Sequence, residues 1–412
     1  MSGSRRDQGD GLDARALNRA LLARQHLLER ASMPAETMVE RLVGLQSQNP
    51  LDPYVALWSR LDGFRPDELG EGIVGRRLVR IALLRTTLHL ATAGDALILW
   101  PLLRTVLERV WRSTTLPRQL VGADVEAILG AARVLLEAEP RTLRDLGRSL
   151  GERWPGRDPA SLAGAVRYLL PIVQLPPRGV WGRTGRPTWT TLEAWLGRPL
   201  GPAASADEVV LRYLAAFGPA SVADIRVWSG LSGLREVVER LRPRLVTFRD
   251  DAGRELFDLP EAPRPDPATP APPRFLPEYD NLLLAHADRR RVIPERVVAR
   301  LTGWVGTFLV DGFVRGQWRL DRTGSAATLV VEPFEPLTDH EAEALVAEAE
   351  SLLAFAADAA DDRRVTFGIA REPERGWRAS VSVSASVRAS DRGPARAGAP
   401  RLEGEAHSSR PL

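Results

Sequence analysis

The chain has 412 residues, 44% hydrophobic and 26% charged, with a formal net charge of +3 and no apolar run long enough to span a bilayer. It contains no cysteine, which excludes disulfides and thiolate metal sites. It contains no lysine either, so all 56 basic residues are arginine: lysine Schiff-base chemistry is excluded, and the guanidinium forks suit phosphate, although a GC-rich coding bias would give the same composition.

The N-terminal stretch "MSGSRRDQGDGLDAR" lacks the apolar segment of a signal peptide, and a cytoplasmic location is expected. Residues 13–30, "DARALNRALLARQHLLER", space leucine and alanine as in a helix. A second helix is predicted from Ser32, with Pro34 in its first turn and Met38, Val39, Leu42, Val43 and Leu45 on its apolar side, stopping at Asn49-Pro50. On this reading "GLQSQNPLDP" is a helix C-terminus. Its glutamines, Gln46 and Gln48, either cap loose carbonyls or face a polar space, because burying unpaired amides costs ~1–3 kcal/mol each. A third helix follows Pro53, and "RIALLRTTLHLATAGD" reads as a β-hairpin broken near Arg85–Thr87.

The order of helices then hairpin returns twice. "PRTLRDL" at 140–146 matches "PASVADI" at 219–225, an internal repeat in which Thr142 and Ser221 are placed to cap a helix. Each copy continues into a second helix and a strand pair, the winged-helix pattern. The predicted units are 12–93, 123–203 and 204–260, with a connecting helix at 94–122. The proline-rich 261–273 reads as a linker, and 274–372 as a β-rich domain with one helix, its hairpin turning at Asp311-Gly312. Residues 373–412, poor in large apolar residues, are expected to be disordered.

The five histidines are scattered, and neither a phosphate-binding P-loop nor a G-x-S-x-G elbow is present, so no metal and no cofactor is expected. The second helices of the repeats carry few Arg, Asn or Gln; these units read DNA backbone and shape, or act only as scaffold. The stretch "PPRGVWGRTGRPTW" sets Arg178, Arg183 and Arg186 among glycines around Trp181. It is either a cationic ribbon for DNA or a wing whose Trp181 and Trp189 pack on the core.

Five stretches, "GLQSQNPLDPYVALWSRL", "LRTTLHLATAGD", "VQLPPRGVWGRTGRPTW", "FLPEYDNLLLAHADRRRVI" and "VDGFVRGQWRL", together resemble the winged-helix DNA glycosylases related to AlkZ and YcaQ, over about residues 12–370. The resemblance implies a mainly α fold with β: three tandem winged helix-turn-helix units and a β-rich C-terminal domain with one helix, C-shaped, with a basic concave face. It implies a monomer that binds duplex DNA carrying an alkylated purine, with no membrane partner. It carries a catalytic role onto Gln46 and Gln48 as a Q-x-Q motif and a DNA-assisting role onto the hairpin at 176–191, with Arg178, Trp181, Arg183 and Arg186. Ser47 departs from the apolar residue often found between the glutamines. The implied reaction is hydrolysis of the N-glycosidic bond of bulky or cross-linked N7-alkylated purines, leaving an abasic site. His89 is placed on the strand beside the motif, and Asp52 is a carboxylate positioned to add negative charge. Two competing readings are a non-catalytic DNA-binding regulator and a protein-interaction scaffold.

Overall fold

The computed structural model describes residues 11–301 and 305–368. Strand β1 (Gly11–Leu12) leads into helix α1 (Ala14–Arg24), whose first turn is closed by Asp13 accepting from the Ala16 amide at 2.7 Å. The helix is shorter than its leucine spacing predicts. Its polar residues are drawn inward instead: the Gln25 amide donates to Ala216 O at 2.7 Å, and buried Arg24 makes a two-pronged ion pair with buried Asp258, both contacts 2.7 Å. Removing one partner of such a pair costs about 3–5 kcal/mol.

Helix α2 (Ala35–Arg41) also stops early, and this corrects the helix-terminus reading of the glutamines. Val43 (φ 56°) and Gly44 (φ 92°) are both left-handed, and the Gly44 amide donates back to Val39 O at 2.9 Å, a Schellman closure. A Cβ at Gly44 would lie 3.1 Å from Leu90 O, so glycine is required twice over. The chain leaves this turn as strand β2 (Leu45–Gln46), followed by α3 (Asp52–Trp58), α4 (Pro66–Val74) and the expected hairpin of β3 (Leu78–Ala82) and β4 (Leu88–Thr92). At the hairpin tip Arg85 (φ 53°) and Thr86 (φ 59°) are both left-handed.

After α5 (Ala93–Ser113) and α6 (Leu116–Gln119) come α7 (Val125–Ala138), α8 (Leu143–Arg153), α9 (Pro159–Leu169), β5 (Ile172–Gln174), β6 (Trp189–Thr191) and α10 (Leu192–Leu196). The second repeat gives α11 (Ala206–Phe217), α12 (Val222–Ser229), α13 (Leu234–Leu241), β7 (Val246–Asp250) and β8 (Glu255–Asp258). The repeat signature works as its sequence indicates. Thr142 accepts from the Asp145 amide at 3.1 Å and Ser221 from the Asp224 amide at 3.3 Å, and each hydroxyl donates to that aspartate's carboxylate. Immediately before the caps, Arg141 bridges to Trp189 and Ala220 to Phe257, so both copies tie the capped helix to the later strand of their pair.

Residues 261–273 hold no helix or strand, as expected, but they are strapped down by α1. Arg15, Arg19 and Arg24 donate to the carbonyls of Pro267, Thr269 and Pro263. The rest comprises β9 (Arg274–Leu276), the short α14 (Asn281–Leu284) and α15 (Glu295–Val298), β10 (Gly306–Val310), β11 (Phe313–Thr323), β12 (Ala326–Pro333), α16 (Asp339–Ala356) and β13 (Asp362–Phe367). The single expected helix, α16, is joined by these two extra turns, and β13 returns parallel to β12.

The sheets run β1-β7-β8, β13-β12-β11-β10-β9 and β2-β4-β3-β5-β6. The last joins the glutamine strand to the strand pair that carries the basic stretch. One apolar core extends from Leu21 of α1 to Leu353 of α16, while Ile128, Leu146, Leu162, Val166 and Trp189 belong to a second core under α7–α9. The architecture is thus mixed α and β. The expected disordered tail at 373–412 lies outside the described residues, among which no helix is long and apolar enough to cross a membrane.

Candidate active site and nucleic-acid interface

Gln46 pairs with His89 across β2 and β4, confirming the expected neighbourhood of the histidine. The Gln46 side chain is 6% exposed, and its Oε1 accepts from Arg85 Nη2 at 2.8 Å. A guanidinium only donates, so the atom facing it must be the amide oxygen, and Nε2 is directed elsewhere. The same Nη2 lies 3.4 Å from His89 Nε2, while His89 Nδ1 sits 2.9 Å from Thr87 O. A carbonyl accepts, so Nδ1 carries the hydrogen and Nε2 offers its lone pair to Arg85. Burial, and next the Arg85 charge, push His89 down to about 3, leaving it neutral at neutral pH.

Ser47 is fully buried and turned the other way, to Arg80. Arg80 Nε donates to Ser47 Oγ at 2.9 Å, Nη2 to Ser47 O at 2.7 Å, and Nη1 to Gln174 Oε1 on β5. The hydroxyl between the glutamines is therefore the partner of a buried cation, a role no apolar residue would fill. Burial, followed by the charge of Arg178, lowers Arg80 to about 9, still charged at neutral pH. Gln48 is half-buried, and among the described residues its amide has no hydrogen-bond partner.

Asp52 departs from its expected role. It opens α3 with 5% exposure, and one carboxyl oxygen, Oδ2, is enclosed without a hydrogen-bond partner. Burial, followed by the charges of Glu278 and Asp280, raises Asp52 to about 8, which favours its neutral form at pH 7 over a negative charge. Glu278, half-buried, is itself raised by burial to about 7.

The basic stretch is also not the ribbon expected. β5 and β6 pair over three residues each, and 175–188 forms a loop pinned to the glutamine region. Tyr54 of α3 donates its hydroxyl to Gly179 O at 2.9 Å and accepts from the Trp181 amide at 3.0 Å. The Trp181 ring, partly exposed, lies 5.0 Å from the Tyr54 ring and 5.4 Å from that of Phe355. Trp189 is buried in the second core. Arg178 is half-buried, while Arg183 and Arg186 are exposed, Arg186 reaching Asp145 at 3.4 Å. The packing reading thus holds for both tryptophan rings, and Arg183 and Arg186 lie on the solvent side of the loop.

A family model described as "DNA glycosylase AlkZ-like" matches residues 39–355. The chain belongs to the AlkZ-like DNA glycosylase family. The matched span includes the glutamine strand, the Arg85 hairpin and the basic loop of this glycosylase. It is 28% identical over 350 residues, covering 76% of this chain and 88% of the other, to a Streptomyces sahachiroi protein named interstrand DNA cross-link repair glycosylase. It also shares the fold of the solved S. sahachiroi DNA glycosylase AlkZ, with a TM-score of 0.69 at 22% identity, covering 87% of this chain and 100% of that one.

Three residues near the glutamine segment or Asp52 were not singled out from the sequence: Arg80, Arg85 and Glu278. Arg85 stands in "LRTTLHL" where the pattern breaks, and an arginine at the break of a short hairpin was the only available signal. Arg80 is the one polar residue in β3, between Val79 and Ile81, and its burial was the unreadable part. Among the described residues no group of three or more His, Asp or Glu is arranged to hold a metal. The hollows of about 390 and 420 Å³ elsewhere on the protein are lined by no residue of the glutamine segment.

Proposed function

We propose that this AlkZ-like DNA glycosylase is monofunctional, hydrolysing the N-glycosidic bond of bulky or cross-linked N7-alkylated purines in duplex DNA and leaving an abasic site. The observation that carries the reading is the pair of amides, Gln46 and Gln48, flanking a Ser47 fixed by a buried arginine. The name of the S. sahachiroi relative supports the class of lesion. An N7-alkylated purine is already cationic, so its bond to C1′ breaks with the electron pair passing to N9 and needs no strong acid. What the protein supplies is placement of a water and stabilisation of the charge that moves, tasks within reach of preorganised amide dipoles. The water oxygen bonds C1′, and its proton passes to solvent. A chain without lysine has no ε-amine to cleave the strand through a Schiff base.

In this reading 12–93, 123–203 and 204–260 are winged-helix units, with 274–372 a supporting domain and a C-shaped, basic inner face on the duplex. The capped-helix repeat and its bridges support that assignment for the second and third units. Arg178, Arg183 and Arg186 serve as phosphate contacts, with Trp181 as the anchor that holds their loop. The test is release of free base from duplex containing 7-methylguanine, followed by alkali to reveal the abasic site. The Gln46→Ala, Gln48→Ala double variant is expected to lose ~100-fold or more of the rate. Release at the wild-type rate by that variant would reject the site, and strand breaks without alkali would reject the monofunctional reading.

A further inference from the structure

Gln46 and Gln48 are the same residue type and are held in opposite ways. Gln46 has its oxygen bound by a cation and its nitrogen left to donate, whereas Gln48 is uncommitted. The binding cation is itself held in place. Arg85 sits at the hairpin tip with two consecutive left-handed residues, a backbone costing ~1 kcal/mol or more at each non-glycine position. His89, buried and fixed through Thr87 O, meets the same Nη2 that holds Gln46. Arg85 and Gln46 are thus joined between the hairpin tip and β2, and among the described residues Arg85 Nη1 is enclosed without a hydrogen-bond partner.

A cation behind Gln46 disfavours positive charge on the group that Gln46 faces, so it favours charge leaving a cationic base held against that amide. It also polarises the amide, strengthening Nε2–H as a donor. We propose that Arg85 is a positioning residue that divides the two amides, making Gln46 the hydrogen-bond donor to the departing base and leaving Gln48 to hold the attacking water. This rests on the glycosylase reading above. When the C1′–N9 bond breaks, its electron pair neutralises the purine, whose acceptor atoms gain electron density and draw on the Gln46 donor. The water oxygen bonds C1′ through a lone pair while one of its O–H groups donates to Gln48 Oε1, and a proton is released to bulk water.

The experiment is single-turnover base release from 7-methylguanine duplex by the full chain at saturating enzyme, with duplex affinity measured in parallel. Arg85→Met is expected to slow release ~10- to 100-fold with duplex affinity unchanged, and Arg85→Lys to recover part of the loss. Arg85→Met combined with Gln46→Ala is expected to be no slower than Gln46→Ala alone, while its loss multiplies with that of Gln48→Ala. Multiplication with Gln46→Ala, or a loss confined to duplex affinity, overturns the division of roles. If Arg85→Met does not fold, the same cycle run with Arg85→Lys gives the same decision. Wild-type rates for both single glutamine variants would instead reject the glycosylase site itself, whatever Arg85 does.

Discussion

Replacing Asp52 with asparagine removes a buried acid whose enclosed oxygen has no partner. In the unfolded chain this carboxyl ionises near 3.8 and in the folded protein near 8. At about 1.4 kcal/mol per pH unit, that difference corresponds to ~5 kcal/mol, an upper value because water entry and relaxation reduce it. Because the folded value is the higher one, the stability contributed by the neutral carboxyl is complete below pH 4 and is lost as pH rises through 8. Asparagine stays neutral throughout, so its advantage over aspartate grows with pH, from ~2 kcal/mol at pH 5 to ~5 kcal/mol at pH 8. For a protein of this size the gap in Tm between variant and wild type widens by ~5 °C over that range. Thermal unfolding by circular dichroism at pH 5, 6.5 and 8 measures it. A gap that stays constant with pH, or narrows, refutes the assignment of Asp52 as a buried neutral acid. Burial also lowers His89, whose stability contribution runs the opposite way, so the comparison of variant with wild type at each pH is the measurement that isolates Asp52.

Gly179→Ala is expected to shift the basic loop, since the residue has φ 91° and an added Cβ would come within 2.9 Å of Arg80 Cδ. The cost is ~1–3 kcal/mol of stability, with slower base release, because Arg80 also holds Ser47; unchanged melting and release would show the loop to be uncoupled. Arg183→Gln and Arg186→Gln are each expected to reduce the slope of log affinity for duplex against log salt by ~1, without altering single-turnover release at saturation. An unchanged slope in both variants would remove this loop from the DNA interface.

Much of the fold was legible because its signals are local. Thr142 and Ser221 cap the helices that their spacing announced, and Asp311-Gly312 turns the hairpin it marked, with φ of 50° and 81°. The end of α2 was misread because Val43 and Leu45 continue an apolar helical pattern. The left-handed turn at Val43–Gly44 follows from Gly44 nesting against Leu90, a contact made only when β4 arrives. The two glutamines and His89 were found by resemblance and by position on the hairpin. Arg85 and Arg80 were not, because their partners lie 39 and 33 positions away in sequence. Asp52 was legible as an acid but not as one pushed toward its neutral form, since the shift comes first from burial and then from Glu278 and Asp280, which the chain brings in just after β9.

Arg80 touches Ser47 just past the end of β2, Gln174 on β5 and, through the tight seat of Gly179, the basic loop. These four positions are therefore coupled through one guanidinium, and a change at one is felt at the others. An apolar residue at 47 would leave the buried Arg80 Nε without its partner, while Nη2 kept the backbone carbonyl of 47 and Nη1 kept Gln174, so the change is best tolerated alongside a matching change at 80. Grafting the loop from a relative with an apolar middle residue would thus import a mismatch into the glutamine strand, and swapping the whole set together is the route by which this enzyme's grip could be re-engineered.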